Sequence, residues 1–273
     1  MVKKLFKHEF LAYARVMSVV YAILFTVAVA GRAIQFLEAD SIPYYIIFTT
    51  SLLTYGVCVY GVIGFTVVMA VIRFYKHLFS SEGYLSFTLP VTTTQHIIVK
   101  VVTAVCMEII TLIMVLLSGC IFSAGELLLE IFKALIYLIQ KAFELAGPHT
   151  IAFAGELSVL FLLECFSGIM LYYTCICIGQ LFSKHRILAA VGAYAVYYIL
   201  AQIVATVFSM VVPVLAAVPI YTDLMIVLFR QIEQAPFIVV HFMLCLPALI
   251  PAVAIAVEFI VVRTIITKRL NLE

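Results

Sequence analysis

The polar residues of this chain are punctuation between long apolar runs. A helix rises about 1.5 Å per residue, so roughly 20 apolar residues cross a bilayer core. Six runs reach that length, at about 16–37, 44–72, 96–123, 151–182, 187–212 and 236–263. The pattern predicts an all-α membrane protein, with six transmembrane helices in a single domain over 16–263. The second and fourth runs exceed what the hydrocarbon needs, which implies tilt or protrusion.

Two further segments carry a helical period without the length or purity of a span. Residues 1–15 place Leu5, Phe6, Phe10 and Leu11 roughly on one side, with Lys3, Lys4, Lys7 and His8 mostly elsewhere. That suits an N-terminal helix lying in the cytoplasmic membrane interface, although a leader that only sets topology explains the same residues. Residues 125–146 repeat polar positions at Glu126, Glu130, Lys133, Tyr137, Gln140, Lys141 and Glu144, in steps of three and four. They predict an outer amphipathic helix, lying on the membrane or capping the bundle. Residues 264–273 read as a cytoplasmic tail.

Composition narrows the class. The chain is 66% hydrophobic and only 11% charged, with a mean hydropathy of +1.24. No soluble core hides that much apolar surface. The net charge of +2 says little, but its distribution sets an orientation. With both termini inside, 12 of the 16 lysines and arginines fall at the cytoplasmic face, and Arg32, Lys133, Lys141 and Arg230 fall outside. The bias obeys the positive-inside rule, and an even span count returns both termini to one side. The basic lead, the apolar run and Ala28, Val29 and Ala30 also resemble a cleavable signal peptide, but the length of the lead and Glu9 within it favour retention. Arg32 near the outer end of span one is read as snorkelling, with Glu38 or Asp40 in reach.

Catalytic signatures are missing from the sequence. It has no GxxxxGK[ST], no HExxH and no GxSxG, and its six histidines are scattered, so neither an enzyme nor a metal site is expected. The seven cysteines all lie in apolar runs and read as packing residues. No basic tract interleaves with aromatics, so nucleic acid is not an expected partner. What remains are carboxylates inside spans, Glu108, Glu164 and Glu258. Each needs a bundle-interior position, a partner or protonation, and each is a candidate for a transport pathway. Local packing with a hydrogen bond is the simpler explanation for Glu108 and Glu164, and a structural pair with Arg263 explains Glu258 as well as a functional role does.

The polar segment over residues 73–100, RFYKHLFSSEGYLSFTLPVTTTQHIIVK, differs from everything around it. It mixes bases, aromatics, an acid, a glycine and a proline between two spans. It resembles the first cytoplasmic loop of bacterial ABC-2-type transporter permeases, and the closing KRLNLE resembles the tail of one branch of them. The basic leader and six spans with both ends inside agree with that resemblance. The family implies an ABC-2, type V exporter-like architecture and a multi-pass subunit of the bacterial cell membrane. It carries no ATPase and binds no cofactor itself, ATP and magnesium being held by a separate cytoplasmic ATP-binding-cassette subunit. A second permease subunit, the same or paralogous, would pair with it among the membrane lipids. The loop over 73–95 would hold a coupling helix at 74–84 that seats on the ATPase and is ended by Pro90. On that implication Phe74, Tyr75, Phe79 and Tyr84 form the wedge. Arg73, Lys76 and Glu82 fix its orientation, and Gly83 lies within it. The substrate would move by export. The outer helix over 125–146 departs from what the family implies. Two rival classes stay open: an ATP-independent ion or solute channel or carrier, and a non-transporting membrane scaffold or sensor.

Overall fold

A computed structural model describes residues 2–37, 41–79, 91–123, 125–182, 184–216, 230 and 236–268. Among the described residues all regular structure is helical. In chain order the helices are α1 (Val2–Gln35), α2 (Ile42–Phe79), α3 (Thr93–Phe122), α4 (Glu126–Ala146), α5 (His149–Gly179), α6 (Arg186–Ala216) and α7 (Pro236–Lys268). Six of them, all but α4, are long and apolar enough to cross a membrane, the mark of a multi-pass membrane protein. In lipid a helix satisfies every backbone group internally, so an apolar run of this length has few alternatives.

Three boundary differences from the sequence reading change the architecture. The expected interfacial helix over 1–15 is not separate, because α1 continues unbroken into span one. No proline or glycine interrupts it before Gly31. Its buried residues, Glu9, Tyr13, Met17, Tyr21, Leu24, Ala28 and Gly31, form one stripe across the expected break. Leu11, expected on the apolar face, is exposed instead. Likewise α2 does not end at residue 72. Its buried stripe of Val62, Thr66, Ala70, Phe74 and Leu78 advances in steps of four past the start of the expected loop. The expected tail over 264–273 begins as helix, since α7 runs to Lys268. At 34 and 38 residues, α1 and α2 are about 51 and 57 Å long, well beyond a hydrocarbon core of about 30 Å. The polar first turns of α1 and the last turns of α2 make up the excess.

Local chemistry explains the ends. Thr92 caps α3 with a capping box: its hydroxyl accepts from the Gln95 amide at 3.3 Å, and its own amide donates to Gln95 Oε1 at 3.1 Å. Gly147 ends α4 at φ 52°, and its amide donates to the Phe143 carbonyl at 3.0 Å. A left-handed residue there is what glycine supplies at no steric cost. The polar positions expected to mark one face of α4 are exposed, and so are Leu129, Phe132, Leu135 and Leu138 of the other.

The chain forms two compact units, Met1–Lys141 and Ala142–Leu270. In the first, α1 packs against both α2 and α3. Glu9 meets Lys100 near the beginnings of α1 and α3, and Gln35 meets Phe122 at their ends, so these two helices run parallel. Tyr13 bonds Thr66 and Glu9 bonds Arg73, so α2 runs antiparallel to α1. Alternate crossing of a membrane demands this order. In the second unit α5 packs against α6 and α7. Tyr172 stacks on Tyr194 at 5.7 Å, and Gly179 lets the first turn of α6 approach closely. A Cβ at Gly179 would stand 2.7 Å from the Arg186 carbonyl oxygen. By contrast an added Cβ at Gly56, Gly61 or Gly64 of α2 would meet no atom within 4 Å.

Candidate functional site

The described unit Met1–Lys141 concentrates its charge where the start of α1, the end of α2 and the start of α3 converge. Glu9 is the centre. Its Oε1 lies 3.0 Å from Lys100 Nζ, and its Oε2 lies 3.2 Å from both Arg73 Nη2 and His77 Nδ1. Lys100 Nζ also lies 3.1 Å from His77 Nδ1 and 3.5 Å from the Arg73 carbonyl oxygen. His77 Nδ1 serves one partner at a time: protonated it donates to Glu9, deprotonated it accepts from Lys100. The Arg73 guanidinium stands 5.7 Å from the centre of the Tyr13 ring. Glu9 and Lys100 are buried. Burial by itself would raise the Glu9 carboxyl. The hydrogen bond from His77 and the charges of Lys100 and Arg73 outweigh it and hold Glu9 well below the usual carboxylate range.

A second polar track continues up the same three helices. Tyr13 donates to the Thr66 carbonyl. Thr66 and Thr111 share a hydrogen bond of 2.9 Å, and Thr111 shares another of 2.7 Å with Tyr21. Tyr55 and Ser118 are 2.9 Å apart near the other end, where the Tyr55 ring stacks on Phe122 at 4.6 Å. Arg32 donates to Gln35 Oε1 at 2.7 Å and lies over the Phe36 ring; Glu38 and Asp40, its expected partners, lie outside the described residues.

The residues expected to meet an ATPase divide sharply. Arg73 belongs to the buried ion cluster, and Phe74 is fully buried within the unit. Both pack among the helices of this unit. Tyr75 and Phe79 are half-buried, with rings 6.4 Å apart, and Lys76 is exposed. Glu82, Gly83, Tyr84 and Pro90 lie outside the described residues. The three intramembrane carboxylates do not form one site. Glu108 is half-buried in the first unit. In the second, Glu164 is exposed, whereas Glu258 is buried and its Oε2 has no hydrogen-bond partner.

Sequence reasoning missed the pairing of Glu9 with Lys100 and His77. The one available signal was Glu9 itself, the lone acid in a basic leader. It also missed a cluster in the second unit, where α5 and α7 begin side by side. His241 Nδ1 lies 2.6 Å from Glu156 Oε1, and His241 Nε2 lies 3.2 Å from His149 Nδ1. Among the described residues no group of three or more His, Cys, Asp or Glu side chains is arranged to hold a metal ion.

No protein family, no curated protein and no solved structure matches this chain.

Proposed function

We propose that this chain is the membrane-spanning permease subunit of an ATP-binding-cassette transporter. It would export an unidentified substrate across the bacterial cell membrane. A separate cytoplasmic ATPase subunit, which carries ATP and magnesium, docks on the segment over 73–95. A second permease subunit, identical or paralogous, completes the pathway. Both termini and the docking segment lie on the cytoplasmic side, as the charge bias argues.

The observation that carries this reading is the ion cluster of Glu9, Arg73, His77 and Lys100. It stands at both roots of the polar segment and ties them to α1. A load on that segment then moves three helices together instead of bending a loose loop. The sequence resemblance of the same segment supports the identity of what loads it. In this proposal Tyr75, Lys76 and Phe79 are the docking residues on the last turn of α2, continued by Glu82, Gly83 and Tyr84. Arg73 and Phe74 transmit the load.

The test is co-purification. The tagged chain, expressed with the ATP-binding-cassette ATPase encoded beside it, should retain that ATPase, and Tyr84→Ala should lose it. The absence of any such neighbour, or unchanged association and transport-linked hydrolysis in Glu82→Gln and Tyr84→Ala, would sink the proposal. One observation favours a second reading, a carrier that works without ATP: the buried, unpartnered carboxyl oxygen of Glu258. Substrate flux through liposomes holding this chain alone, abolished by Glu258→Gln, would select it.

A further inference from the structure

The geometry points to a binding site for one divalent first-row transition-metal ion where α5 and α7 begin, with His149 Nδ1 and His241 Nε2 as its two protein ligands and Glu156 as the orienting carboxylate. The two ring nitrogens are 3.2 Å apart. Two zinc–imidazole bonds of about 2.0–2.1 Å meeting at a tetrahedral angle span about 3.3 Å. Glu156 Oε1, 2.6 Å away, accepts the proton of His241 Nδ1 and thereby leaves the lone pair of Nε2 facing His149. Carboxylates orient metal-binding histidines in this way. When His149 carries its proton on Nε2, two lone pairs face each other, and a bridging cation resolves the conflict.

The rings are held before any ion arrives. His149 of α5 stacks on Phe237 of α7 at 4.8 Å, and His241 of α7 packs against Phe153 of α5 at 4.4 Å. Each helix thus braces the ligand of the other. Glu156 Oε2 is buried without a hydrogen-bond partner, so the carboxylate charge is incompletely compensated and a nearby dication would offset it. His149 is exposed, so no protein atom closes the remaining coordination positions. Imidazole ligands suit zinc, copper and nickel better than magnesium or calcium. The site is independent of the transporter reading and of which side of the membrane it faces.

The full-length protein in detergent, stripped with chelator, is titrated with Zn2+ by calorimetry and with Co2+ by visible absorption. One saturable ion per chain is expected. His149→Ala and His241→Ala should each abolish it, and Glu156→Gln should weaken it roughly tenfold to a hundredfold. His8→Ala, at an exposed histidine in the other unit, should leave it unchanged. If His241→Ala fails to fold, the exposed His149 decides alone. No saturable binding by the unaltered protein, or binding that survives loss of His149, overturns the assignment; a shared proton would then be all that joins the two rings.

Discussion

Lys100 sets its ammonium 3.0 Å from a carboxylate oxygen of Glu9, 91 positions earlier in the chain, and both side chains are buried. The pair fixes the rotation of α1 against α3 at one end of the described unit. Arg73 and His77 close the cluster from α2. Removing Glu9 leaves buried cations without their anion, and losing one partner of a buried pair costs about 3–5 kcal/mol. Glu9→Gln should therefore lower the stability of this unit by about 3 kcal/mol in detergent unfolding. A loss under about 0.5 kcal/mol, as at an ordinary surface position, would mean that the cluster does not hold the helices.

The same cluster sets a pH dependence. The Glu9 carboxyl is held below its ordinary value of 4.5 in the folded chain. The unfolded chain therefore takes up the proton first as pH falls. The stabilisation is complete above about pH 5 and declines progressively below about 4.5. Melting temperatures between about pH 7 and pH 3 should fall more steeply for the unaltered protein than for Glu9→Gln. Parallel curves would contradict this.

Gly31 sits against the Phe122 ring, where an added Cβ would be 2.8 Å from Cδ2. The same ring stacks on Tyr55 at 4.6 Å, so its retreat would disturb that contact. Gly31→Ala should cost about 1–3 kcal/mol by overpacking. Gly61→Ala, inside α2 and facing open space, should instead stabilise the isolated chain by about 0.5–1 kcal/mol, since alanine loses less backbone freedom in a helix.

Thr111 joins Tyr21 to Thr66 through one hydroxyl. Valine keeps its shape and removes that hydroxyl, leaving the Tyr21 phenol without this bond. Thr111→Val should destabilise by about 1–3 kcal/mol. Combining it with Tyr21→Phe should cost less than the sum of the two single changes, since neither partner is then stranded. Strict additivity in that cycle would show that the bond does not couple them.

Lys76 and Arg73 are three residues apart and lie in opposite settings, one exposed and one in the ion cluster. If the segment over 73–95 docks an ATPase, Lys76→Glu should reduce its co-purification without changing the melting temperature of the permease. Arg73→Gln should lower the melting temperature itself. An identical response of both variants in both measurements would contradict this division of labour.

The sequence by itself determined the six apolar helices long enough to span a bilayer and, within a residue, the helix expected over 125–146. Those features depend on local sums: apolar length against a bilayer, and polar spacing against a helical turn. Local rules fell short where burial overrode charge. At Arg73 and Phe74 a change in composition suggested a loop, yet no breaker stops the helix, and the buried stripe of α2 carries on through Phe74 and Leu78. In α1 the face read from Leu5, Phe6, Phe10 and Leu11 gave way to a stripe that begins at Glu9, because the neighbouring helices supply Arg73, His77 and Lys100 to neutralise it. Only the tertiary structure decided those partners, and likewise the meeting of His149 with His241 across 92 positions. Helices that are apolar nearly all round leave their own rotation unspecified, so which side chains face each other is settled by packing between helices, not by the order of residues along any one of them.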